Sequence, residues 1–104
     1  VNMHMNKQIQ EVAREHSIKM ANGELAFNND GSEERREILS NLFQIEEYTE
    51  IVGTGDPEAM VASWFASEGH TLKLEGDYNI TGVGVGITRD GTVFATQILI
   101  KTKW

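Results

Sequence analysis

Glycine and valine alternate from Gly82 to Gly86, and this pattern constrains the fold of the chain more than any other sequence feature. Side chains of a β-strand point alternately to its two faces, so the valines share one face and the glycines share the other. A strand face made of glycine lets another element approach the backbone closely, and a helix is the simplest such element. The sequence therefore predicts a strand with a helix packed on its glycine face.

The same strand is predicted to be the first arm of a β-hairpin. Extended patterns run over Asn79–Thr88 and Thr92–Thr102, and Asp90-Gly91 between them is a strong hairpin signal. A phosphate-binding loop is excluded, because its glycines must lead from a strand directly into a helix. The end of the chain is therefore expected to be β-structure.

Helical patterns precede this hairpin. Asn2–Met20 carries apolar residues at spacings of three and four, and Asn22-Gly23 is a typical helix end. A second helix is predicted to begin at Ser32 as its N-cap, with an apolar side formed by Ile38, Leu39, Leu42 and Phe43. A third is predicted from Asp56-Pro57-Glu58 to Gly69. Residues 44–52 remain ambiguous, with a short extended piece that ends at residues 53–55 as one interpretation.

Length and composition place the chain among small globular domains. Its 104 residues suffice for one domain, spanning residues 1–104. The absence of cysteine excludes disulfides, thiolate zinc sites and thiol nucleophiles. A net charge of −7 argues against nucleic acid and anionic membrane surfaces as partners. No apolar run approaches the roughly 20 residues of a membrane-spanning helix, and residues 1–5 lack the apolar region of a signal peptide.

Histidines and acids are the candidate functional side chains. His70 follows the end of the third predicted helix, where an imidazole can project into a cleft. His16 lies on the apolar side of the first helix, so it is either a hydrogen-bonded core residue or a ligand. The acids between residues 46 and 58 form a solvated face, or one of them meets His70 as a metal ligand or acid–base partner.

Several short motifs, in order, resemble those of the CAP superfamily, which contains the cysteine-rich secretory proteins, antigen 5 and the plant pathogenesis-related proteins. They run from about residue 9 to residue 100, nearly the whole chain. The matching segments are Ala13–Ser17 with Met20-Ala21, Pro57–Trp64, Ser67–His70, Thr81–Gly86 and Thr96–Ile98. The resemblance implies an α+β fold, a three-layer α-β-α sandwich with a small antiparallel sheet. It also implies a cleft that is lined in the family by two histidines and two acids.

Only some of the cleft residues of the family have counterparts in this sequence. His70 matches one family histidine, and Glu50 resembles one family acid. Phe27 and Phe94 stand where the family has histidines, and a phenylalanine cannot bind a metal or move a proton. With two ligands left, a zinc site would lack the three or four protein ligands that such sites normally have.

These residues lead to competing hypotheses of function. The first is a non-enzymatic domain, extracellular or on the cell surface, that needs no cofactor. It binds a small apolar molecule, peptide or protein in a cleft formed by Glu50, His70, Gln97, Phe27 and Asn28. The alternative is a metal-dependent hydrolase in which His70 and Glu50 are the catalytic or zinc-binding pair. A third is a structural module in which His70 only caps a helix end.

Overall fold

The computed structural model describes residues 4–26, 28, 30–56, 58 and 78–102. Within this part of the chain the fold is α+β, as predicted, with two helices and four strands. In chain order the elements are β1 (His4–Met5), α1 (Lys7–Ala21), α2 (Ser32–Ser40), β2 (Ile45–Gly55), β3 (Ile80–Ile87) and β4 (Val93–Thr102). Most of the third predicted helix, with Trp64 and His70, lies outside the described residues.

The strands form one sheet in the order β1-β3-β4-β2. The predicted hairpin is confirmed, since β3 and β4 pair antiparallel and the Asp90-Gly91 turn connects them, with Gly91 at φ 88°. The predicted antiparallel sheet is formed by β2, β3 and β4, and β1 adds a short parallel pairing to β3 at its edge. Only His4 and Met5 make this pairing, a segment too short to leave an alternating pattern in the sequence.

The glycine face of β3 packs against α1, as predicted. A Cβ atom added at Gly86 would lie 2.6 Å from the carbonyl oxygen of Ser17, and one at Gly84 would overlap the backbone of Arg14. Ser17 also donates a hydrogen bond of 2.9 Å from its hydroxyl to the carbonyl of Gly84. The helix therefore lies closer to this strand than any side chain would permit.

Both helix starts differ from the sequence prediction. α1 begins at Lys7 and not at Asn2, because Asn6 is the N-cap and accepts a hydrogen bond from the amide of Ile9. Ser32 is not the cap of α2 but its first residue. Gly31 precedes it in the left-handed conformation and makes no side-chain cap bond.

β2 resolves the ambiguity of residues 44–52. It extends from Ile45 to Gly55, and β4 pairs with it antiparallel from Thr102 back to Val93, with one irregularity of register between Ile45 and Glu47. Residues 53–55 therefore continue the strand, although the sequence pattern predicts that they end it. Pairing with a long central strand outweighs the low strand preference of glycine and acidic residues.

One hydrophobic core lies between the sheet and the two helices. Its buried members are Ile9, Ala13, Leu39, Ile80, Ile98 and Ile100. Both helices of the described residues lie on this one face of the sheet, and the third predicted helix lies mostly outside the described residues. None of the helices in the described ranges combines the length and apolar character needed to cross a membrane.

Candidate functional site

A groove of about 470 Å³ lies between α1 and α2, above the core. Its volume is within the roughly 300–1,000 Å³ typical of ligand pockets. The residues that line it are Val12, Glu15, His16 and Lys19 from α1, Leu25, Asp30 and Gly31 from the connecting loop, and Glu34, Arg35 and Ile38 from α2. The groove thus combines a charged rim, aliphatic walls and a floor that includes His16 and Arg35.

The floor is built on an ion pair between Arg35 of α2 and Glu50 of β2. Arg35 Nε donates to Glu50 Oε2 at 2.7 Å, and Nη2 donates to Oε1 at 2.6 Å. The side chains are only 10% and 1% exposed. A two-pronged arginine–carboxylate bond of this kind fixes both groups in direction as well as in distance.

Tyr48 adds a third hydrogen bond to the same carboxylate. It lies two residues before Glu50 on β2, on the same face of the strand, and its hydroxyl donates to Oε2. Burial, and then the hydrogen bond to Glu50, raise the pKa of the Tyr48 phenol. Tyr48 therefore stays protonated as a donor, and both Glu50 oxygens hold hydrogen bonds.

His16 closes the floor on the side of α1. Its ring is 2% exposed, and Nδ1 accepts a hydrogen bond of 3.0 Å from Arg35 Nη1. Because arginine is always a donor, Nδ1 carries the lone pair, and Nε2 donates its hydrogen to the carbonyl of Asn28 at 2.9 Å. Burial is the main cause of a lowered His16 pKa, and the nearby Arg35 charge lowers it further. The ring is a neutral, fully hydrogen-bonded member of the network, which confirms the core interpretation of His16.

Arg35 connects the floor to the loop as well. Nη1 donates to the carbonyl oxygen of Asp30 at 2.8 Å, in addition to its bond with His16. One guanidinium thus ties together α1, the connecting loop, α2 and β2. This role explains why a charged side chain is buried at the centre of the domain.

The floor does not fit a resident metal ion. The Glu50 carboxylate is already neutralised by the Arg35 guanidinium and is 1% exposed, and the Nδ1 lone pair of His16 accepts a hydrogen bond from Arg35. Within the described ranges, moreover, no three histidine or acidic side chains come close enough to share a metal ion. Glu50 also does not line the groove, because hydrogen bonds from Arg35 and Tyr48 hold its oxygens below the surface.

The structure brings together some of the predicted cleft residues and separates others. A chain of hydrogen bonds through His16 and Arg35 connects the backbone carbonyl of Asn28 to Glu50. Gln97 lies on the other face of the sheet, because it pairs with Ile51 while Glu50 pairs with Ile98. The predicted residues Phe27 and His70 lie outside the described part of the chain.

Gln97 belongs to a separate polar cluster on that opposite face. Its side chain is 1% exposed, and Nε2 donates to the hydroxyl of Thr81 at 3.1 Å. Its Oε1 atom has no hydrogen-bond partner among the described residues. Gln97 and Glu50 therefore cannot line one side of a common cleft.

Neither Arg35 nor Tyr48 stands out in the sequence, although both define the site. Arg35 lies in a charged stretch that is typical of an exposed helix, and its partner Glu50 is 15 residues away in another element. The sequence contains one pattern that links Tyr48 to the site. Tyr48 and Glu50 have the two-residue spacing that places them on one face of a strand.

Comparisons with known proteins agree with this architecture. The chain superimposes on an outer surface protein from Borrelia burgdorferi with a TM-score of 0.73 and 19% identity, over 99% of this chain and 80% of that one. It also superimposes on an extracellular protein containing an SCP domain from Bacillus anthracis, with a TM-score of 0.62 and 23% identity. That match covers 96% of this chain and 34% of the Bacillus chain, so this sequence spans about a third of its length.

No curated protein sequence matches the chain significantly. The family model of the cysteine-rich secretory protein family, CAP, matches residues 2–99. This range includes α1, α2, the whole of β3, and β4 as far as Leu99. The chain therefore belongs to the CAP family of cysteine-rich secretory proteins.

Proposed function

We propose that this CAP domain is a non-enzymatic binding domain that holds a partner in the groove between α1 and α2. The observation that carries the proposal is the double hydrogen bond from Arg35 to Glu50. Among the described residues, Glu50 is the one acid of the cleft predicted from the sequence, and these hydrogen bonds give it a structural role. What remains at the surface of the groove is suited to recognition and not to chemistry.

The network on the floor supports a rigid groove. Arg35 joins four separate parts of the chain, and a binding site held by rigid elements loses little conformational entropy when its ligand arrives. The groove also has aliphatic and charged walls, the usual composition of a ligand pocket. A preformed pocket whose buried acid and histidine are already hydrogen-bonded is the expected design of a binding domain.

The proposal includes a location outside the cell or on its surface. One of the superimposed proteins is an outer surface protein, and the other is an extracellular protein. Protease treatment of intact expressing cells is the test, with a cytoplasmic protein as the control. We expect this domain to be degraded while the cytoplasmic control survives, and protection of both would contradict the location.

Calorimetric titration of Zn²⁺ at neutral pH tests the non-enzymatic assignment. Three proteins are compared: the unchanged domain, Glu50→Gln and His70→Ala. We expect no stoichiometric binding at micromolar affinity in any of them, because Arg35 already occupies the Glu50 carboxylate.

Stoichiometric binding that disappears in both variants would contradict the proposal. It would mean that Zn²⁺ displaces Arg35 and that Glu50 and His70 act together, as a metal-dependent hydrolase requires. Hydrolysis assays on ester and peptide substrates with the zinc-loaded protein would then identify the reaction. Weak binding that is the same in all three proteins would reflect the acidic surface alone.

A further inference from the structure

The charges on the floor of the groove cancel. Arg35 is paired with Glu50, and His16 is neutral because its Nδ1 accepts a hydrogen bond from Arg35. On the rim, Lys19 is paired with Glu15 at 3.2 Å. The electrical character of the groove is therefore set by whichever rim charges have no counter-ion.

Those charges are two carboxylates. Asp30 and Glu34 both line the groove, and neither makes an ion pair within the described part of the chain. Val12, Leu25 and Ile38 contribute aliphatic side chains to the lining of the same groove, and Ile38 lies one helical turn after Glu34 on α2. Ile38 is 54% exposed, so its surface is available to a partner. Negative charge beside aliphatic surface selects a ligand that is both cationic and apolar.

The length of the groove indicates how large the ligand is. Its α1 wall runs from Val12 to Lys19, which is about 10 Å at ~1.5 Å per helical residue. An extended peptide rises ~3.3 Å per residue, so this wall accommodates about three residues. Successive side chains of an extended peptide point in opposite directions, so a cationic residue and its aliphatic neighbours contact different parts of the groove lining.

We propose that the groove between α1 and α2 binds an extended peptide segment of about three residues, in which a lysine or arginine is flanked by aliphatic side chains. The cationic side chain pairs with Asp30 and Glu34, and the aliphatic neighbours pack on Val12, Leu25 and Ile38. The segment belongs to a partner protein. This inference rests on the proposed binding function and names its ligand class.

Fluorescence anisotropy with labelled pentapeptides tests the proposal. The probe has a leucine–lysine–leucine centre flanked by glycines, with acetyl-capped and amidated ends. Two comparison peptides replace the lysine by glutamate, or both leucines by serine. We expect the probe to bind most tightly, because only it satisfies the acids and the aliphatic wall together. Its affinity should fall between about 50 and 500 mM salt, because exposed charge pairs are screened.

Matched variants separate groove binding from general attraction to an acidic protein. Glu34→Lys reverses a charge on the rim, whereas Glu37→Lys makes the same change on the same helix at an exposed residue that does not line the groove. We expect Glu34→Lys to weaken probe binding about tenfold, since attraction becomes repulsion. Glu37→Lys should change it by less than about twofold, because its charge lies outside the contact.

The aliphatic wall has its own pair of variants. Ile38→Ser should weaken the probe about fivefold through lost apolar contact, while Ile87→Ser, at an exposed residue of the hairpin that does not line the groove, should have no effect. Circular dichroism and thermal melting confirm that each variant folds. Equal losses in Glu34→Lys and Glu37→Lys, or tighter binding of the glutamate peptide, would overturn the proposal.

Amide NMR spectra distinguish failure of this inference from failure of the proposed function. If the glutamate or serine peptide shifts groove residues more strongly than the probe does, the groove binds but the ligand class is wrong. If free arginine or a polyamine matches the probe in affinity, a small cation is the ligand and the peptide assignment is wrong. If no peptide shifts the groove residues and Zn²⁺ binds stoichiometrically, the binding function itself is contradicted.

Discussion

Arg35 and Glu50 depend on each other because both charges are almost completely removed from solvent. Loss of one partner leaves a buried charge without compensation, which typically costs about 3–5 kcal/mol. We expect Arg35→Met to lower the free energy of unfolding by about that amount in urea titrations. Arg36→Met, a neighbouring exposed residue of α2, is the matched control and should change it by less than about 0.5 kcal/mol.

The double variant Arg35→Met with Glu50→Leu tests whether removing both charges of the pair restores stability. Removing both charges leaves no uncompensated charge, although Tyr48, His16 and the Asp30 carbonyl each lose a hydrogen-bond partner. We therefore expect part of the stability lost in Arg35→Met to return. A double-mutant cycle from urea unfolding gives the coupling. If the double variant were as unstable as the sum of the single variants, the pair would not be coupled as described.

His16 makes stability depend on pH. Its pKa in the folded protein lies below the unfolded value of about 6.5, chiefly because the ring is buried. The unfolded chain therefore binds more protons, so folding stability is fully present above pH ~6.5 and falls as the pH decreases through the folded pKa. We expect urea unfolding between about pH 7.5 and 5.5 to show this loss, and His16→Gln to reduce it. An unchanged slope in His16→Gln would mean that other groups cause the dependence.

Sequence reasoning found half of this network. Glu50 was a candidate through its resemblance to a family acid, and His16 was expected to be a hydrogen-bonded core residue. Arg35 was not found, because its burial depends on three contacts to residues 5, 15 and 19 positions away. A side chain whose partners are distant in sequence leaves no local pattern.

Close packing of α1 on β3 is the strongest constraint at the level of elements. We expect Gly84→Ala to lower the free energy of unfolding by about 3 kcal/mol or more, because the added methyl overlaps the backbone of Arg14 and neither element can yield locally. Val85→Ala, at the neighbouring position on the opposite face, where the residue is 46% exposed, should cost less than about 1 kcal/mol. Similar losses in the two variants, measured by urea unfolding, would contradict the close approach.

The elements that were predicted correctly carry their signals locally. The hairpin of β3 and β4 has alternation and a turn within 23 residues, and α1 has a complete apolar stripe. The elements that were missed depend on remote partners. β1 is two residues long and exists through its parallel pairing with β3. The second half of β2 is held by β4, with Glu50 paired to Ile98 and Gly55 paired to Val93, far along the chain.

For the whole molecule, the fold followed from the sequence more completely than the site did. Ordered motifs identified the CAP family, and the family match over residues 2–99 confirms it. Within that fold, Arg35 binds the Glu50 carboxylate and Gln97 lies on the opposite face of the sheet. A shared fold therefore does not transfer a shared site.

The central claim is that hydrogen bonds of Arg35 to Glu50 and His16 already occupy the polar groups on the floor of the groove. NMR of the His16 ring nitrogens and the Arg35 guanidinium tests it most directly. At neutral pH we expect protonated Nε2, unprotonated Nδ1 and slowly exchanging Arg35 Nε–H, and all three signals should persist in excess Zn²⁺. Protonated Nδ1, a rapidly exchanging Arg35, or a Zn²⁺-dependent shift of the Nδ1 signal would show that the floor is open to a metal and would contradict the account.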